Sequence, residues 1–323
     1  MKFKILNIDP KDYSKEAKTI VNEFAIMDEL VLNRDELLNC INNYDGLITR
    51  FSHILDKEIL KKASNLKVIG TATTGLNHID VEAAQRMNIK IISLNGEREF
   101  LNNIYATAEF TWGLILSLIR KIPFATYEVL NYGWDRDIFK GTELNDHTLG
   151  IIGYGRIGSK IANYAICFGM NVKVYDPFVK SSDLKVKFVS LENLLSSSDI
   201  ITVHVPYQES TINLLGKNEF DLLKKNCYII NTSRGGIIDE DILYNYLING
   251  GIAGAALDVV KDEYMQDKKW LKTNKLIEYS RNHHNLIITP HLGGATWESM
   301  EKTEIFIANK LKKFFNQEGI KNG

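Results

Sequence analysis

The sequence predicts an α/β fold, because short β-branched segments alternate with helical patterns along the whole chain. The length of 323 residues exceeds the roughly 250 to 300 residues at which a single hydrophobic core stops growing. A third observation is the glycine pattern GYGRIG at 153–158, which falls between a predicted strand and a predicted helix. Together these features predict two doubly wound domains built on parallel sheets.

The first α/β set occupies about the first 100 residues. Its strands are Ile-, Leu- and Val-rich segments, and its helices carry apolar residues on one face. In chain order, strands and helices alternate at 2–8, 34–41, 46–49, 56–63, 67–70, 80–87 and 90–93. A long apolar helix is predicted from about 104 to 120, and a linker rich in Gly, Asp and Asn follows it.

A second set of six strands occupies most of the remaining chain. Six strands with helices between them are what a doubly wound dinucleotide-binding fold requires. They are predicted at 148–153, 172–176, 200–204, 228–232, 254–259 and 286–289. One more amphipathic pattern, at about 296–315, ends the sequence.

Composition excludes several classes of partner. The chain is 45% hydrophobic and 24% charged, and its formal net charge is -1, which argues against nucleic acid and anionic membrane as partners. The longest apolar stretch, 110–119, is about half the length that a bilayer requires. The three cysteines are far apart and are expected to be buried and without chemistry. His283 and His284 have no nearby third ligand, so we expect no metal site. The N-terminus has no long apolar core and no small-residue cleavage site, so we expect a cytoplasmic protein.

The glycine pattern predicts a dinucleotide site. Gly153 would make the tight turn, Gly155 would let the backbone approach a pyrophosphate, and Gly158 would pack the helix on the strand. The amides of Arg156 and Ile157 open the helix, where the dipole favours a phosphate. An isolated match of this kind could equally be a plain strand-to-helix connection.

An acidic residue at the end of the next strand strengthens this interpretation. Asp176 lies 23 positions after Gly153, close to the separation of about 20 at which a carboxylate reaches the adenosine ribose diol. A carboxylate there would repel a 2'-phosphate, so NAD is expected in preference to NADP. The alternative is that Asp176 is a turn residue before Pro177.

Three further strands are followed by residues that together suit hydride chemistry. They supply a cation, Arg234, a carboxylate, Glu263, and an imidazole, His291. Arg can hold a substrate carboxylate and polarise a keto oxygen, and His can give a proton to the developing alkoxide. A carboxylate beside the His favours the imidazolium. Each residue alone could be structural.

In these segments the sequence resembles the D-isomer-specific 2-hydroxyacid dehydrogenase family, from about Asp45 to Ser299. The resemblance implies that Arg234, Glu263 and His291 are catalytic and that Asp258 binds the nicotinamide carboxamide. It also assigns the loop beside the adenine and two further positions to cofactor binding, namely His204, Pro206, Thr232 and Ser233. The residue after the glutamate departs from the family, since Tyr264 replaces the usual proline.

The resemblance also implies how the domains divide. A Rossmann NAD-binding domain, 101–289, would be inserted into a flavodoxin-like substrate-binding domain formed by 1–100 and 290–323. The active site would lie in the cleft between them, and the protein would be a homodimer, with the long apolar helix near 104–119 as a candidate subunit contact. No appended regulatory domain is expected.

The expected substrate is a small 2-hydroxy or 2-keto acid. The resemblance places Thr73, Thr74 and Gly75 in the loop whose amides hold the substrate carboxylate. Arg50 matches a substrate-binding arginine of phosphoglycerate and glyoxylate/hydroxypyruvate members, whereas Thr71 stands where a second arginine often occurs in the former. The acid is left open among 3-phosphoglycerate, hydroxypyruvate or glyoxylate, lactate and sugar-derived acids. The alternative function is an NAD(H)-sensing scaffold or corepressor.

Overall fold

The chain folds into two compact units in a computed structural model that describes residues 2–265 and 267–321. Unit 1 comprises Met1–Asn103 and Ala295–Gly323, and unit 2 comprises Ile104–Gly294. The predicted domain boundaries lie a few residues earlier in the chain at both crossings.

Unit 1 is built on a five-stranded parallel sheet in the order β2-β1-β3-β4-β5. This is the flavodoxin-like strand order, and it confirms the predicted fold class. The elements are β1 Phe3–Asn7, α1 Lys15–Phe24, β2 Ala25–Glu29, α2 Arg34–Cys40, β3 Gly46–Thr49, α3 Lys57–Lys62, β4 Val68–Thr71, α4 Val81–Arg86, β5 Lys90–Ile92 and α5 Arg98–Asn102.

The sequence interpretation did not include α1 and β2. Strand β2 lies at the edge of the sheet, and its Ile26 side chain is half exposed while Asp28 and Glu29 follow it. An edge strand with acidic residues lacks the continuous apolar run by which buried strands are recognised. Helix α1 begins at a clear signal, since the Ser14 hydroxyl accepts a hydrogen bond from the Ala17 amide.

Unit 2 contains a seven-stranded parallel sheet in the order β12-β11-β10-β9-β6-β7-β8. All six predicted strands are present, and the two-residue β8 is additional. The order is that of a Rossmann fold with one more strand. The elements are α6 Ala106–Ile119, α7 Ile122–Leu130, β6 Thr148–Ile152, α8 Arg156–Cys167, β7 Asn171–Tyr175, β8 Lys187–Phe188, α9 Leu191–Ser197, β9 Ile200–Val203, α10 Lys217–Asp221, β10 Tyr228–Asn231, α11 Glu240–Ile248, β11 Gly254–Leu257, α12 Trp270–Thr273, α13 Lys275–Ser280 and β12 Leu286–Ile288.

Strand register aligns the carboxyl edge of this sheet. The last residues of five neighbouring strands, Ile152, Val203, Asn231, Leu257 and Ile288, are paired side by side. The loops that follow these strands therefore begin at one level, and this edge is where ligands of doubly wound folds bind.

The last helix, α14 (Trp297–Lys321), returns to unit 1. Its Phe315 is buried against Phe3 and Phe24, with ring centroids at 4.5 and 5.5 Å. Leu311 packs so closely on β4 that a β-carbon at Gly70 would lie 2.9 Å from it.

Helix α6 is buried within unit 2, which makes it a poor candidate for the predicted subunit contact. Its Trp112, Ile115 and Leu118 belong to the core on one side of the sheet. Large exposed apolar side chains occur instead in and after α7, a helix that the sequence interpretation treated as linker. No helix in the described part of the chain is long and apolar enough to cross a membrane.

The expectation for the cysteines was wrong in part. Cys227 is buried, but Cys40 is partly exposed and Cys167 is exposed. Cys167 ends α8 on the side of the helix away from its buried residues, so a small apolar residue was mistaken for a core residue.

Candidate active site

The glycine loop joins β6 to α8 in the way that the sequence predicts. Gly153 has φ +93°, and a β-carbon there would lie 2.5 Å from the carbonyl oxygen of His204. A β-carbon at Gly158 would collide with the Gly153 carbonyl. Apart from its chain neighbours, no described residue lies within 4 Å of the position that a β-carbon of Gly155 would take. This open space before the first turn of α8 fits the phosphates of a dinucleotide.

Asp176 is bound to the glycine loop through its carboxylate. The Tyr154 amide donates to Oδ2 (2.7 Å), and the Phe178 and Val179 amides donate to Oδ1 (2.8 and 2.9 Å). Burial raises the pKa of this carboxyl, but the three amides outweigh burial and hold the pKa below its usual value. Asp176 is therefore an anion at the end of β7, beside the glycine loop.

The other predicted cofactor residues line neighbouring loops of unit 2. His204 Nε2 lies 2.8 Å from Thr202 Oγ1, and burial lowers the pKa of His204 to about 3, so its ring is neutral. The Ser233 hydroxyl donates to the Val203 carbonyl (2.6 Å). Thr232 is buried and its hydroxyl lies 2.8 Å from that of Thr111. These side chains fix the loops after β9 and β10.

The Arg156 side chain turns away from the amide that opens α8. Its Nη1 donates to the Ile104 carbonyl (3.1 Å), and burial lowers the pKa of its guanidinium. The Ile157 side chain is partly buried and packs against the core beside α8. In the loop after β9, the Thr211 hydroxyl donates a hydrogen bond to the Pro206 carbonyl (2.7 Å). Arg156 and Ile157 would therefore serve a phosphate through backbone amides.

Glu263 and His291, 28 positions apart in sequence, form a hydrogen-bonded pair. His291 Nδ1 lies 3.0 Å from Glu263 Oε1, and the side chains are 24% and 11% exposed. An ionised carboxylate can only accept, so Nδ1 carries a proton and Nε2 is the ring atom that can exchange one. The pair has the arrangement of a general acid held by a carboxylate.

Arg234 lies in a loop that Asn231 shapes. The Asn231 side chain accepts from the Ser233 amide and donates to the Arg234 carbonyl, both at 2.9 Å. Arg234 Nη1 donates to the Ser233 carbonyl (2.6 Å). Burial raises the pKa of Tyr264, the residue next to Glu263, and the charge of Arg234 opposes that rise. The cation therefore lies near the Glu263–His291 pair at one edge of the sheet.

Two residues with no assigned role complete this arrangement. A β-carbon at Gly235 would collide with the backbone of Val260 and Lys261, so only glycine lets the Arg234 loop pack on the turn that carries Glu263. The Tyr264 hydroxyl is buried; burial raises its pKa, and Glu263 raises the pKa further. Gly235 could have been suspected from the glycine pair after Arg234, but nothing in the sequence indicated the burial of Tyr264.

Asp258 is almost fully buried at the end of β11. Its Oδ1 accepts from the Thr289 hydroxyl (2.6 Å) and the Leu292 amide (2.8 Å), and its Oδ2 accepts from the Gly293 amide (2.8 Å). Burial raises its pKa, and these hydrogen bonds and the charge of His291 oppose that rise. Asp258 thus contacts the loop that carries His291.

The predicted substrate residues belong to unit 1. Arg50 Nη1 lies 3.4 Å from Glu304 Oε1, and its Nη2 donates to the carbonyls of Asp9 (3.2 Å) and Lys11 (2.9 Å). Glu304 is buried, and its Oε2 accepts from the Ser14 amide (2.7 Å). Most of the hydrogen-bonding capacity of the Arg50 head group is therefore used inside unit 1.

The loop after β4 contains the three other substrate residues. The Thr73 hydroxyl donates to the Gly75 carbonyl (2.9 Å) and lies 3.0 Å from that of Thr71. Among the described residues, the amides of Thr74 and Gly75 have no acceptor. Two such amides in a turn can bind a carboxylate.

His283 and His284, which lie between Glu263 and His291 in the sequence, each stack on an aromatic ring. His283 stacks on Tyr279 with centroids 3.8 Å apart, and His284 stacks on Phe124 at 5.1 Å. Within residues 2–265 and 267–321, no group of three or more His, Cys, Asp or Glu side chains is arranged to hold a metal ion.

Comparisons with known proteins place these features in one family. The family model for the NAD binding domain of D-isomer specific 2-hydroxyacid dehydrogenases matches residues 112–293. A hydroxypyruvate reductase of Thermotoga maritima is 35% identical over 94% of this chain and 96% of its own length. A D-3-phosphoglycerate dehydrogenase of Archaeoglobus fulgidus is 37% identical over 87% of this chain, which spans 51% of that relative.

Solved structures give the same result. A D-lactate dehydrogenase of Aquifex aeolicus, complexed with NAD and lactic acid, has a TM-score of 0.84 at 30% identity, over 97% of this chain and 96% of the other. An NAD-dependent formate dehydrogenase of Staphylococcus aureus has a TM-score of 0.82 at 28% identity, over 98% and 96% of the two chains. The chain belongs to the D-isomer specific 2-hydroxyacid dehydrogenase family.

Proposed function

We propose that the protein is an NAD-dependent dehydrogenase that interconverts a D-2-hydroxy acid and its 2-keto acid. The observation that carries the proposal is the 3.0 Å pair between His291 Nδ1 and Glu263 Oε1, in a chain of this family. A proton donor held by a carboxylate is what reduction of a keto group requires at the developing alkoxide.

In this proposal each residue of the pair acts at a stated atom. His291 Nε2 gives a proton to the substrate oxygen in reduction and takes it back in oxidation. Glu263 accepts from Nδ1 throughout and stabilises the imidazolium by charge. Arg234 binds the substrate carboxylate and polarises the carbonyl through charge-assisted hydrogen bonds. The amides of Thr74 and Gly75 offer a second carboxylate site.

We propose NAD as the cofactor, which supplies hydride acceptance and donation when bound. The open space at Gly155 and the anionic Asp176 support NAD, because a carboxylate at the ribose diol repels a 2'-phosphate. The similar D-lactate dehydrogenase of Aquifex aeolicus was solved in complex with NAD, which supports the same choice. Asp258 would contact the nicotinamide carboxamide, and His204 and Pro206 would lie beside the adenine, with Thr232 and Ser233 nearby.

The substrate is a small 2-hydroxy or 2-keto acid whose identity the relatives leave open. Their names include D-3-phosphoglycerate dehydrogenase and hydroxypyruvate reductase, and the chain spans about half the length of the former. Arg50 is a predicted substrate contact, and its ion pair with Glu304 competes with that role.

A substrate panel tests the proposal directly. Oxidation of NADH and NADPH would be followed with hydroxypyruvate, glyoxylate, pyruvate, 3-phosphohydroxypyruvate and sugar-derived 2-keto acids. We expect turnover of at least one acid, a D-configured product and a preference for NADH. Binding of NADH without turnover of any acid would contradict the proposal and favour a dinucleotide-sensing scaffold.

We propose a homodimer, with the exposed apolar segment around α7 as its contact. Tyr127, Leu130, Tyr132 and Trp134 are between 66% and 100% exposed, and such patches mark interaction sites. Light scattering should give a dimer mass, and Leu130→Glu with Trp134→Ala should lower it; a monomeric wild type would contradict this. The cytoplasmic location stays a prediction.

A further inference from the structure

His291 adopts an unusual backbone conformation. Its φ is +54°, in the left-handed region, where a side chain with a β-carbon is disfavoured. Most of the other non-glycine residues with positive φ in the described chain are Asn or Asp, which adopt this region, as His does, more often than other non-glycine residues. A histidine there costs conformational free energy, and such strain persists only when the surroundings hold it.

The contacts that hold this conformation converge on one residue. The His291 amide donates to the Asp258 carbonyl (2.9 Å), and the amides of Leu292 and Gly293 donate to the two carboxylate oxygens of Asp258 (both 2.8 Å). The Thr289 hydroxyl donates to Oδ1 (2.6 Å). Main chain and side chain of Asp258 therefore bind the loop on both sides of the histidine.

The two strands make this arrangement rigid. Asp258 follows β11 and Thr289 follows β12, and these strands are paired with Leu257 opposite Ile288. The Thr289 amide also donates to the Leu257 carbonyl (2.9 Å), and the Asp258 amide donates to the Asn231 carbonyl (2.9 Å). Asp258 is 1% exposed. Water therefore cannot take the place of a lost hydrogen-bond donor, and removal of one donor costs free energy.

We infer that Asp258 and Thr289 form a clamp that positions the His291 loop, so that both are positioning residues for the proton donor. This inference rests on the proposed function. It gives Asp258 a task besides the one that the family resemblance assigns to it, and it gives Thr289 a task where none was assigned. The clamp acts on the main chain of His291, whereas Glu263 acts on its ring.

Three threonine variants test the clamp. Thr289→Val keeps the shape and removes the hydroxyl, and Thr289→Ser keeps the hydroxyl. Thr303→Val removes a buried hydroxyl that donates to the Ser299 and Met300 carbonyls of its own helix in unit 1. A misplaced donor affects the transition state more than binding, so we expect Thr289→Val to lower kcat about tenfold, with NADH affinity and KM within about twofold.

Rescue and the isotope effect separate positioning from general damage. We expect Thr289→Ser and Thr303→Val to keep kcat within about twofold of the wild type, and Thr289→Val to show an increased solvent isotope effect on kcat. Wild-type kcat in Thr289→Val, or equal losses in Thr289→Ser and Thr289→Val, would overturn the clamp.

A measurement on the unaltered protein covers the case in which Thr289→Val does not fold. The Leu292 and Gly293 amides should exchange hydrogen slowly, with protection comparable to that of β12. Fast exchange at both amides would overturn the clamp. If the wild type turns over no 2-keto acid, the proposed function fails, while this protection still reports on the clamp.

Discussion

The carboxyl edges of the two sheets use their predicted arginines differently. In unit 2, Arg234 lies in a loop shaped by Asn231, with its charge close to Tyr264 and Glu263. In unit 1, Arg50 also follows a strand, but its guanidinium contacts the buried Glu304 on α14. The same residue type at the same topological place is thus part of a polar cluster in one sheet and of an internal ion pair in the other.

The difference shows what determines the role of an arginine at a strand end. Topology places both side chains at an edge where ligands bind. The acidic or polar group that contacts the arginine then determines its role, and for Arg50 this group is Glu304, which lies 254 positions further along the chain. A family match at Arg50 therefore predicts a cation at that place without predicting that the cation faces a substrate.

The largest expected effect comes from removing the cation of unit 2. Arg234→Gln should lower kcat/KM about 100- to 1000-fold, because the substrate carbonyl and carboxylate lose a charged donor. Arg281→Gln is the matched control, since Arg281 is exposed and forms a surface ion pair with Glu278. Steady-state kinetics with the best acid of the panel would check this, and an unchanged kcat/KM in Arg234→Gln would remove the contrast between the two sheets.

A smaller effect on both activity and stability is expected at Gly235. A β-carbon there collides with the backbone of Val260 and Lys261, so Gly235→Ala should displace the turn of Glu263 and destabilise the protein by about 1 to 3 kcal/mol. Gly113→Ala, in α6 with open space around it, should instead stabilise the protein by about 0.5 to 1 kcal/mol. Chemical denaturation and kcat measure both; equal effects would contradict this packing.

Substitution of Arg50 should affect the stability of the protein more than its activity. Arg50→Gln leaves Glu304 buried without its cation, which should lower the free energy of unfolding by about 1 to 3 kcal/mol. Glu304→Gln should lower it too, and the double variant should lose less than the sum because the two side chains interact. A stability that is unchanged in Arg50→Gln, with a raised KM for one acid, would show that substrate binding is its main role.

The smallest expected effect depends on pH and concerns Asp176. Its folded-state pKa is lowered, so its ionised form contributes stability above the unfolded pKa of about 3.9 and loses it as pH falls through the folded pKa. The stability difference between wild type and Asp176→Asn should therefore be present at about pH 7 and shrink on acidification below about pH 4. Denaturation across this range checks it, and a difference that does not depend on pH would contradict the charge argument.

Much of the fold is predictable because buried parallel strands are short apolar runs that pattern recognition detects. Every strand of unit 2 with at least three residues was predicted. The strand that was missed in unit 1, β2, is an edge strand with exposed polar residues, and the two-residue β8 is too short to leave a pattern. Local patterns do not contain the pairing that makes such segments strands.

In the candidate site, too, the sequence predicts some residues and misses others. Residues with a chemical signature at strand ends, such as Arg234 and His291, are visible in the sequence. The contacts of Thr289, Gly235 and Glu304 depend on which side chains meet after folding, and nothing local marks them. Sequence thus predicts the reacting groups better than the residues that position them.

The rate of His291→Gln tests the central claim most directly. His291 is the only group of the Glu263 pair that can give up a proton at a substrate oxygen, and Gln cannot do so. With the best 2-keto acid and NADH, we expect the kcat of His291→Gln to fall at least about 100-fold while its affinity for NADH is kept. As a control, substitution of the exposed His283 by Gln should leave kcat at the wild-type value. Wild-type turnover in His291→Gln would contradict the assignment of the proton donor.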